Sequence, residues 1–174
     1  MLSAAARIAW HMPGVQFLLP KAPALQRAVL ERYLARAKAD VRVAEEGSVY
    51  DALQLMEAAI VASGTATLDA ALCAVPMVVV YKTSWPTYLA ARAVIRIPDI
   101  ALVNVIAGRR IVPELVQQQA TPTRIAQTII ELLRHDEQRA VMRKDLVEVK
   151  TRLGSPGAVD RAASVVLKAA AGRS

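Results

Sequence analysis

A single cysteine, Cys73, stands in a chain of 174 residues. One thiol excludes an internal disulfide framework and a cysteine-built metal centre. In its apolar helical surroundings it reads as a buried, inert thiol. Aromatic residues are nearly as scarce, with one Phe, two Trp and four Tyr, too few rings for a base-stacking surface. Long apolar runs are absent too: each candidate is broken by Arg, Pro or Lys before the roughly 18 residues a membrane span needs. The opening stretch, Met1 to Trp10, contains Arg7 and has no apolar signal core. A soluble, cytoplasmic protein is expected, with peripheral contact at the inner membrane left open. Neither G-x-G-x-x-G nor a Walker A sequence occurs, which leaves dinucleotide and P-loop readings unsupported. His11 and His135 stand far apart from each other in the sequence, and neither is given a catalytic role. No metal and no cofactor are expected.

Acidic residues are outnumbered, 15 against 22 Lys and Arg, for a net charge of +7. A basic surplus favours anionic partners. The bases Arg27, Arg32, Arg36, Lys38 and Arg42 are nevertheless spread out. A solvated basic surface explains them as well, and no nucleic-acid partner is expected.

Hydrophobic residues make up 55% of the chain, and their patterning alternates helix with strand. An Ala-rich helix over Leu2 to Trp10 turns at Pro13-Gly14 into a strand over Val15 to Leu19. A basic helix follows over Ala22 to Lys38, then a strand over Val41 to Ala44 and a helix over Val49 to Ala58. A third strand ends at Ile60 to Ala62, a helix covers Thr65 to Ala74, and Met77 to Tyr81 reads as a strand buried on both faces. Beyond Lys82 the pattern predicts a helix over Pro86 to Ile95, an extended stretch over Asp99 to Val105 and a short helix over Val112 to Gln118. Helices over Thr121 to Leu133, His135 to Leu153 and Ala158 to Ala171 complete the chain, the first announced by Thr121 as N-cap with Pro122 after it. Trp85, Tyr88 and Tyr81 read first as core packing, with a bilayer interface as the alternative. Alternating strands and helices imply an α/β fold: a Rossmann-like parallel sheet with helices on both faces. Its ligands belong at the carboxyl ends of the strands. Such a sheet ordinarily opens with a strand, and here the first strand is expected upstream of Met1.

The run Ile60 to Asp69 carries the clearest chemistry. A buried strand passes through the short turn Ser63-Gly64-Thr65 into a helix. The first N–H groups of that helix point out of the sheet edge as an anion site. Gly64 allows close approach, and Ser63 and Thr65 add hydroxyls. Asp69, one turn on, leans back toward the turn. A carboxylate there repels phosphate but accepts two hydrogen bonds from a vicinal diol, as a ribose beside a diphosphate would offer. The alternative stays open that Ser63 merely caps the helix and Asp69 complements its dipole.

Ala62-Ser63-Gly64-Thr65-Ala66-Thr67-Leu68-Asp69 and Pro76-Met77-Val78-Val79-Val80-Tyr81-Lys82 resemble the lipid-A-disaccharide synthase family. The run from Asn104 through Ala107-Gly108-Arg109-Arg110 to Glu114 and Gln117 is similar to a second signature of that family. The resemblance implies the C-terminal half of a GT-B fold. Residues 1–174 would form a single nucleotide-sugar-binding domain, lacking its first strand and the N-terminal acceptor domain. It implies transfer of 2,3-diacylglucosamine from UDP to 2,3-diacylglucosamine 1-phosphate, with inversion and without a metal. The general base would come from the N-terminal half. It implies a UDP-sugar site made of Ser63, Gly64, Thr65, Ala66, Asp69, Asn104, Ala107, Gly108, Glu114 and Gln117. Apart from the resemblance, Asn104 reads as a turn residue and Glu114 as a helix-dipole partner. The expected partners are UDP-2,3-diacylglucosamine, a lipid acceptor, and either the other half of the enzyme or a second copy. A non-catalytic UDP-binding remnant and a half of another UDP-sugar transferase or epimerase are the competing expectations.

Overall fold

The computed structural model describes residues 1–22, 25–44, 49–88, 99–154 and 157–171. The chain enters in α1 (Leu2–His11) and then alternates through β1 (Phe17–Pro20), α2 (Arg27–Leu34), β2 (Val41–Ala44), α3 (Val49–Gln54), β3 (Ala59–Ala62), α4 (Ala66–Leu72) and β4 (Met77–Tyr81). Residues 85–88 are helical. Next come α5 (Leu102–Ala107), β5 (Glu114–Val116), a 3-10 turn (Gln117–Gln119), α6 (Pro122–Arg134), α7 (Asp136–Arg152) and α8 (Ala158–Ala171).

Every strand pair is parallel. β1 lies beside β2, while β3, β4 and β5 pair in that order, with Val61 opposite Val79 and Val80 opposite Leu115. The expected parallel α/β architecture is present, with its strands divided between two hydrogen-bonded sheets. Alternation along β4 builds the two sides of the core. Met77 and Val79 pack with Val61, Ala70, Val103 and Leu146, under α4, α5 and α7. Val78 and Val80 pack with Ala4, Ile8, Ile125 and Ile129, under α1 and α6. Met77, Val78 and Val79 are 0–1% exposed, which is why this strand reads as a continuous apolar run.

Local signals place several helix ends. The Thr121 hydroxyl accepts the Arg124 N–H at 3.2 Å, and Pro122 follows it, as the sequence predicts. At the far end of α6 the Arg139 guanidinium donates to the carbonyls of Leu132 and Leu133 and to Asp136. It thereby satisfies acceptors that a helix terminus leaves open. The His135 imidazole engages the Glu131 carbonyl, and that of His11 the Arg7 carbonyl, each as an exposed helix-end contact.

Two stretches exchange their expected structures. Leu102–Ala107 is helical rather than extended, and Glu114–Val116 is a strand rather than a helix. The branched residues Val103, Val105 and Ile106 favour strand locally. Tertiary contacts override this: Val103 and Asn104 are 0% exposed, and Gly108 closes the helix with φ +69°. Glu114–Val116 instead completes the sheet beside β4. The basic helix is confined to Arg27–Leu34, and α3 stops at Gln54. Most of the helix expected over residues 86–95 lies outside the described residues. Trp85 and Tyr88 meet edge to face at 5.9 Å, with Trp85 half exposed. Cys73 is half-buried against the core, and burial pushes its thiol up, which keeps it protonated at neutral pH. Among the described residues, no helix is long and apolar enough to cross a membrane.

Candidate nucleotide-sugar site

At the carboxyl end of β3 the chain turns through Ser63, Gly64 and Thr65 before α4 begins at Ala66. The Ser63 N–H still belongs to the sheet and donates to Val80 O at 3.0 Å. The Gly64 carbonyl then accepts from Thr67 twice, from N–H at 3.1 Å and from Oγ1 at 2.7 Å. Thr67 is 0% exposed, so it fastens the turn from inside. Gly64 has φ +145°, and the space its missing Cβ would enter is empty to 4 Å. No acceptor among the described residues takes the N–H of Gly64, Thr65 or Ala66, as expected of the first donors of a helix. Because α4 has only seven residues, its dipole adds little and the individual donors matter more.

The hydroxyl of Ser63 neither caps α4 nor stands free. It donates to Ile100 O at 3.3 Å. Asp69 is half-buried on α4, and its Oδ1 accepts the Tyr50 phenol of α3 at 3.0 Å. Among the described residues its Oδ2 has no hydrogen-bond partner. The Tyr50 phenol is pushed up first by this hydrogen bond and then by the charge of Asp69. Tyr50 and Thr67 were not singled out from the sequence: Tyr50 reaches Asp69 from 19 residues away, a tertiary contact, whereas Thr67 bonds Gly64 three residues back, a local signal that could have found it.

The remaining candidates serve a different geometry. Asn104, 0% exposed, donates from Nδ2 to Val112 O and to Glu114 Oε1, and its Oδ1 accepts the N–H groups of Ile111 and Val112. Glu114 also accepts the N–H of Ala101 on Oε1 and that of Ile100 on Oε2, each at 2.9 Å. The pair therefore holds residues 100–101, whose Ile100 carbonyl receives the Ser63 hydroxyl. Gln117, with φ +50° and 5% exposure, clamps the end of β5 to the segment after β4, exchanging two hydrogen bonds with the Thr83 backbone at 3.0 and 3.1 Å. Ala107 and Gly108 lie at the other end of the sheet. The next residue, Arg109, pairs with Asp145, one helical turn beyond the Met142 whose sulfur receives the N–H of Met77 at the start of β4. Ser63, Gly64, Thr65, Ala66 and Asp69 thus stand together at the carboxyl end of β3, while Asn104, Glu114 and Gln117 are buried and hold the neighbouring segments. Among the described residues no cluster of three His, Cys, Asp or Glu could hold a metal.

The Arg109–Asp145 pair is bidentate, at 2.7 and 3.1 Å. The Arg109 hydrogen bond holds the Asp145 carboxyl below its usual range. A lowered folded pKa stabilises the fold above the ordinary carboxylate range and loses that contribution as pH falls through the lowered value. Asp145→Asn is expected to lower the Tm at pH 7, and the gap to wild type should close on acidification below that range. A gap constant from pH 7 to pH 2 would contradict the pairing.

A parallel sheet with a small-residue turn at a strand end, facing open space and flanked by a carboxylate, is an α/β domain of the class whose ligands bind at the carboxyl ends of the strands. A chain of the crystal structure of the GtfA/B complex shares the fold, with a TM-score of 0.52 and 12% identity over 86% of this chain and 29% of that one. The lipid-A-disaccharide synthetase family profile matches residues 1–169. The chain belongs to that family. It is 46% identical to the lipid-A-disaccharide synthase of Anaeromyxobacter dehalogenans (strain 2CP-C) over 168 residues, covering 96% of this chain and 44% of the relative. The Syntrophus aciditrophicus enzyme of that name is 40% identical over 167 residues, again 96% and 44% of the two chains. The Nitrosococcus oceani enzyme is 42% identical over 155 residues, covering 89% and 40%. The chain therefore spans less than half the length of these relatives.

Proposed function

We propose that this chain supplies the UDP-sugar site of a lipid-A-disaccharide synthase. In that reaction the sugar of UDP-2,3-diacylglucosamine passes to 2,3-diacylglucosamine 1-phosphate. The acceptor hydroxyl attacks the anomeric carbon, the bond from that carbon to the UDP phosphate oxygen breaks, and UDP leaves as an anion. Family membership supports the reading, and the observation that carries it is the open Ser63–Gly64–Thr65 turn with Asp69 one turn away. The N–H groups of Gly64, Thr65 and Ala66 stabilise charge as it develops on the departing diphosphate. Asp69 holds the ribose diol. Asn104, Glu114 and Gln117 fix the segments beside the turn instead of touching the donor. The acceptor site and general base belong to the part of the family's length that this chain does not span. The acylated substrates place the reaction at the cytoplasmic face of the inner membrane.

Calorimetric titration of UDP into the chain and into Gly64→Val tests this. Saturable binding is expected, weakened about tenfold or more in the variant, because a β-branched residue resists φ +145° and its side chain enters the ligand space. A folded variant that binds UDP as well as wild type would remove the turn from the phosphate site.

A further inference from the structure

Basic residues that stand apart in the sequence meet at one place in the fold. α1 buries Ala4, Ala5 and Ile8. Helical spacing turns Ala6, Arg7 and Trp10 to another side. There they face the connection between α2 and β2, which brings Arg36, Ala37 and Lys38. Between them lies a cleft of ≈ 550 Å³, lined chiefly by Arg7, Trp10, His11, Arg36 and Lys38. His11 precedes β1 and Lys38 precedes β2, so the cleft belongs to the amino ends of these strands, whereas the Ser63 turn follows the carboxyl end of β3.

The charges in the cleft are uncompensated. No Asp or Glu lines it. The side chains of Arg7, Arg36 and Lys38 have no hydrogen-bond or ion-pair partner among the described residues. Elsewhere carboxylates meet their cations: Arg27 pairs with Glu31, Arg109 with Asp145, Arg110 with Asp99, Arg139 with Asp136 and Arg152 with Glu148. Three like charges around one concavity repel each other and raise the local potential, and an anion among them relieves that repulsion. The guanidinium forks of Arg7 and Arg36 match the oxygens of a phosphate group, and Lys38 adds a point charge. Trp10, 83% exposed, stands at the rim. A bare indole beside bases suits the headgroup layer of a lipid surface.

We propose that this cleft is a phosphate-binding site additional to the Ser63 turn, in which Arg7, Arg36 and Lys38 converge on one phosphate group. That group is the diester of an anionic lipid headgroup or a free phosphate ion; the chemistry that recognises it is the same. The inference does not rest on UDP binding. A solvated basic surface would attract anions through its total charge, whichever bases carried it. The cleft instead acts through these three, because the fold places them around one cavity.

The test mixes the 174-residue chain with phosphatidylcholine vesicles, with and without phosphatidylglycerol, at about 0.1 M salt, where charges beyond roughly 10 Å are screened. Co-sedimentation measures lipid binding, and calorimetric titration of inorganic phosphate measures the free ion. Saturable binding in at least one arm is expected, and the arm that binds identifies the source. The triple variant Arg7→Gln, Arg36→Gln, Lys38→Gln should bind about tenfold more weakly or worse. Arg124→Gln, Arg143→Gln, Lys168→Gln removes the same charge at exposed positions outside the cleft. This control should lose no more than about twofold. Trp10→Ala should weaken vesicle binding several-fold and leave phosphate affinity unchanged. Circular dichroism checks that each variant is folded. Arg36→Gln alone, at an exposed position between α2 and β2, should still cost about threefold, a second readout independent of the triple. No binding in either arm overturns the proposal. So does an equal loss in the two triple variants, which would return these bases to a general basic surface. None of these readouts involves UDP, so failure of the donor-site reading would appear separately, in the UDP titration.

Discussion

Glu114→Ala is expected to lower the unfolding free energy by about 3–5 kcal/mol, the range for removing one partner from a buried charged network. Glu114 is 8% exposed, and its two oxygens accept from Ile100 N, Ala101 N and Asn104 Nδ2 at 2.8–2.9 Å. Truncation strands three donors, each costing about 1–3 kcal/mol if no water reaches it. Against a total stability of roughly 5–15 kcal/mol for a domain, the loss brings the chain close to unfolding. Glu114→Gln retains one acceptor oxygen and turns an NH2 group toward a backbone N–H, so about half the loss is expected. Asn104→Ala should be comparably damaging, since Asn104 also pairs Ile111, Val112 and the Val112 carbonyl. The double variant should lose less than the sum, because the two residues share a bond of 2.8 Å. Urea melts of the four variants beside wild type measure all of this. Additive losses, or a Glu114→Ala midpoint equal to wild type, would show that the network does not hold the fold.

Signals confined to a few neighbouring residues were legible in the sequence. Thr121-Pro122 starts α6 where expected, and Met77 to Tyr81 forms the buried strand. The turn at Ser63-Gly64-Thr65 was legible because its strand, its glycine and its carboxylate lie within ten positions. What escaped depends on partners distant along the chain. The hydroxyl of Ser63 suggested a cap, yet its acceptor is Ile100, 37 residues away. Asn104 and Glu114 suggested a ligand cleft, a turn and a helix end. Their burial against one another is what makes one stretch a helix and the other a strand. The division of the strands into two sheets has no local signature at all, because alternation specifies that strands exist and are parallel without specifying which edges meet.

Asp69→Ala is expected to weaken UDP binding by about 10- to 100-fold while leaving the Tm near that of wild type. A carboxylate that accepts both hydroxyls of a ribose makes two charged hydrogen bonds, each worth about 1.5–3 kcal/mol before the cost of desolvation. Each 1.4 kcal/mol is a factor of ten in affinity. The geometry favours this use of the residue. Tyr50 holds Oδ1 at 3.0 Å and so fixes the rotamer, while Oδ2 stays available among the described residues. Tyr50→Phe should therefore cost only a few-fold, as the carboxylate loses its support but not its reach. Titration with 2′-deoxy-UDP separates the diol from the diphosphate: wild type should bind it more weakly than UDP, and Asp69→Ala should bind the two alike. The unliganded pair has its own readout, because Asp69→Asn removes the charge that raises the Tyr50 phenol, and its absorbance titration should move to lower pH. Equal affinity of the wild-type chain for UDP and 2′-deoxy-UDP, with no loss in Asp69→Ala, would assign Asp69 to the helix dipole and leave the turn without a ribose contact from α4.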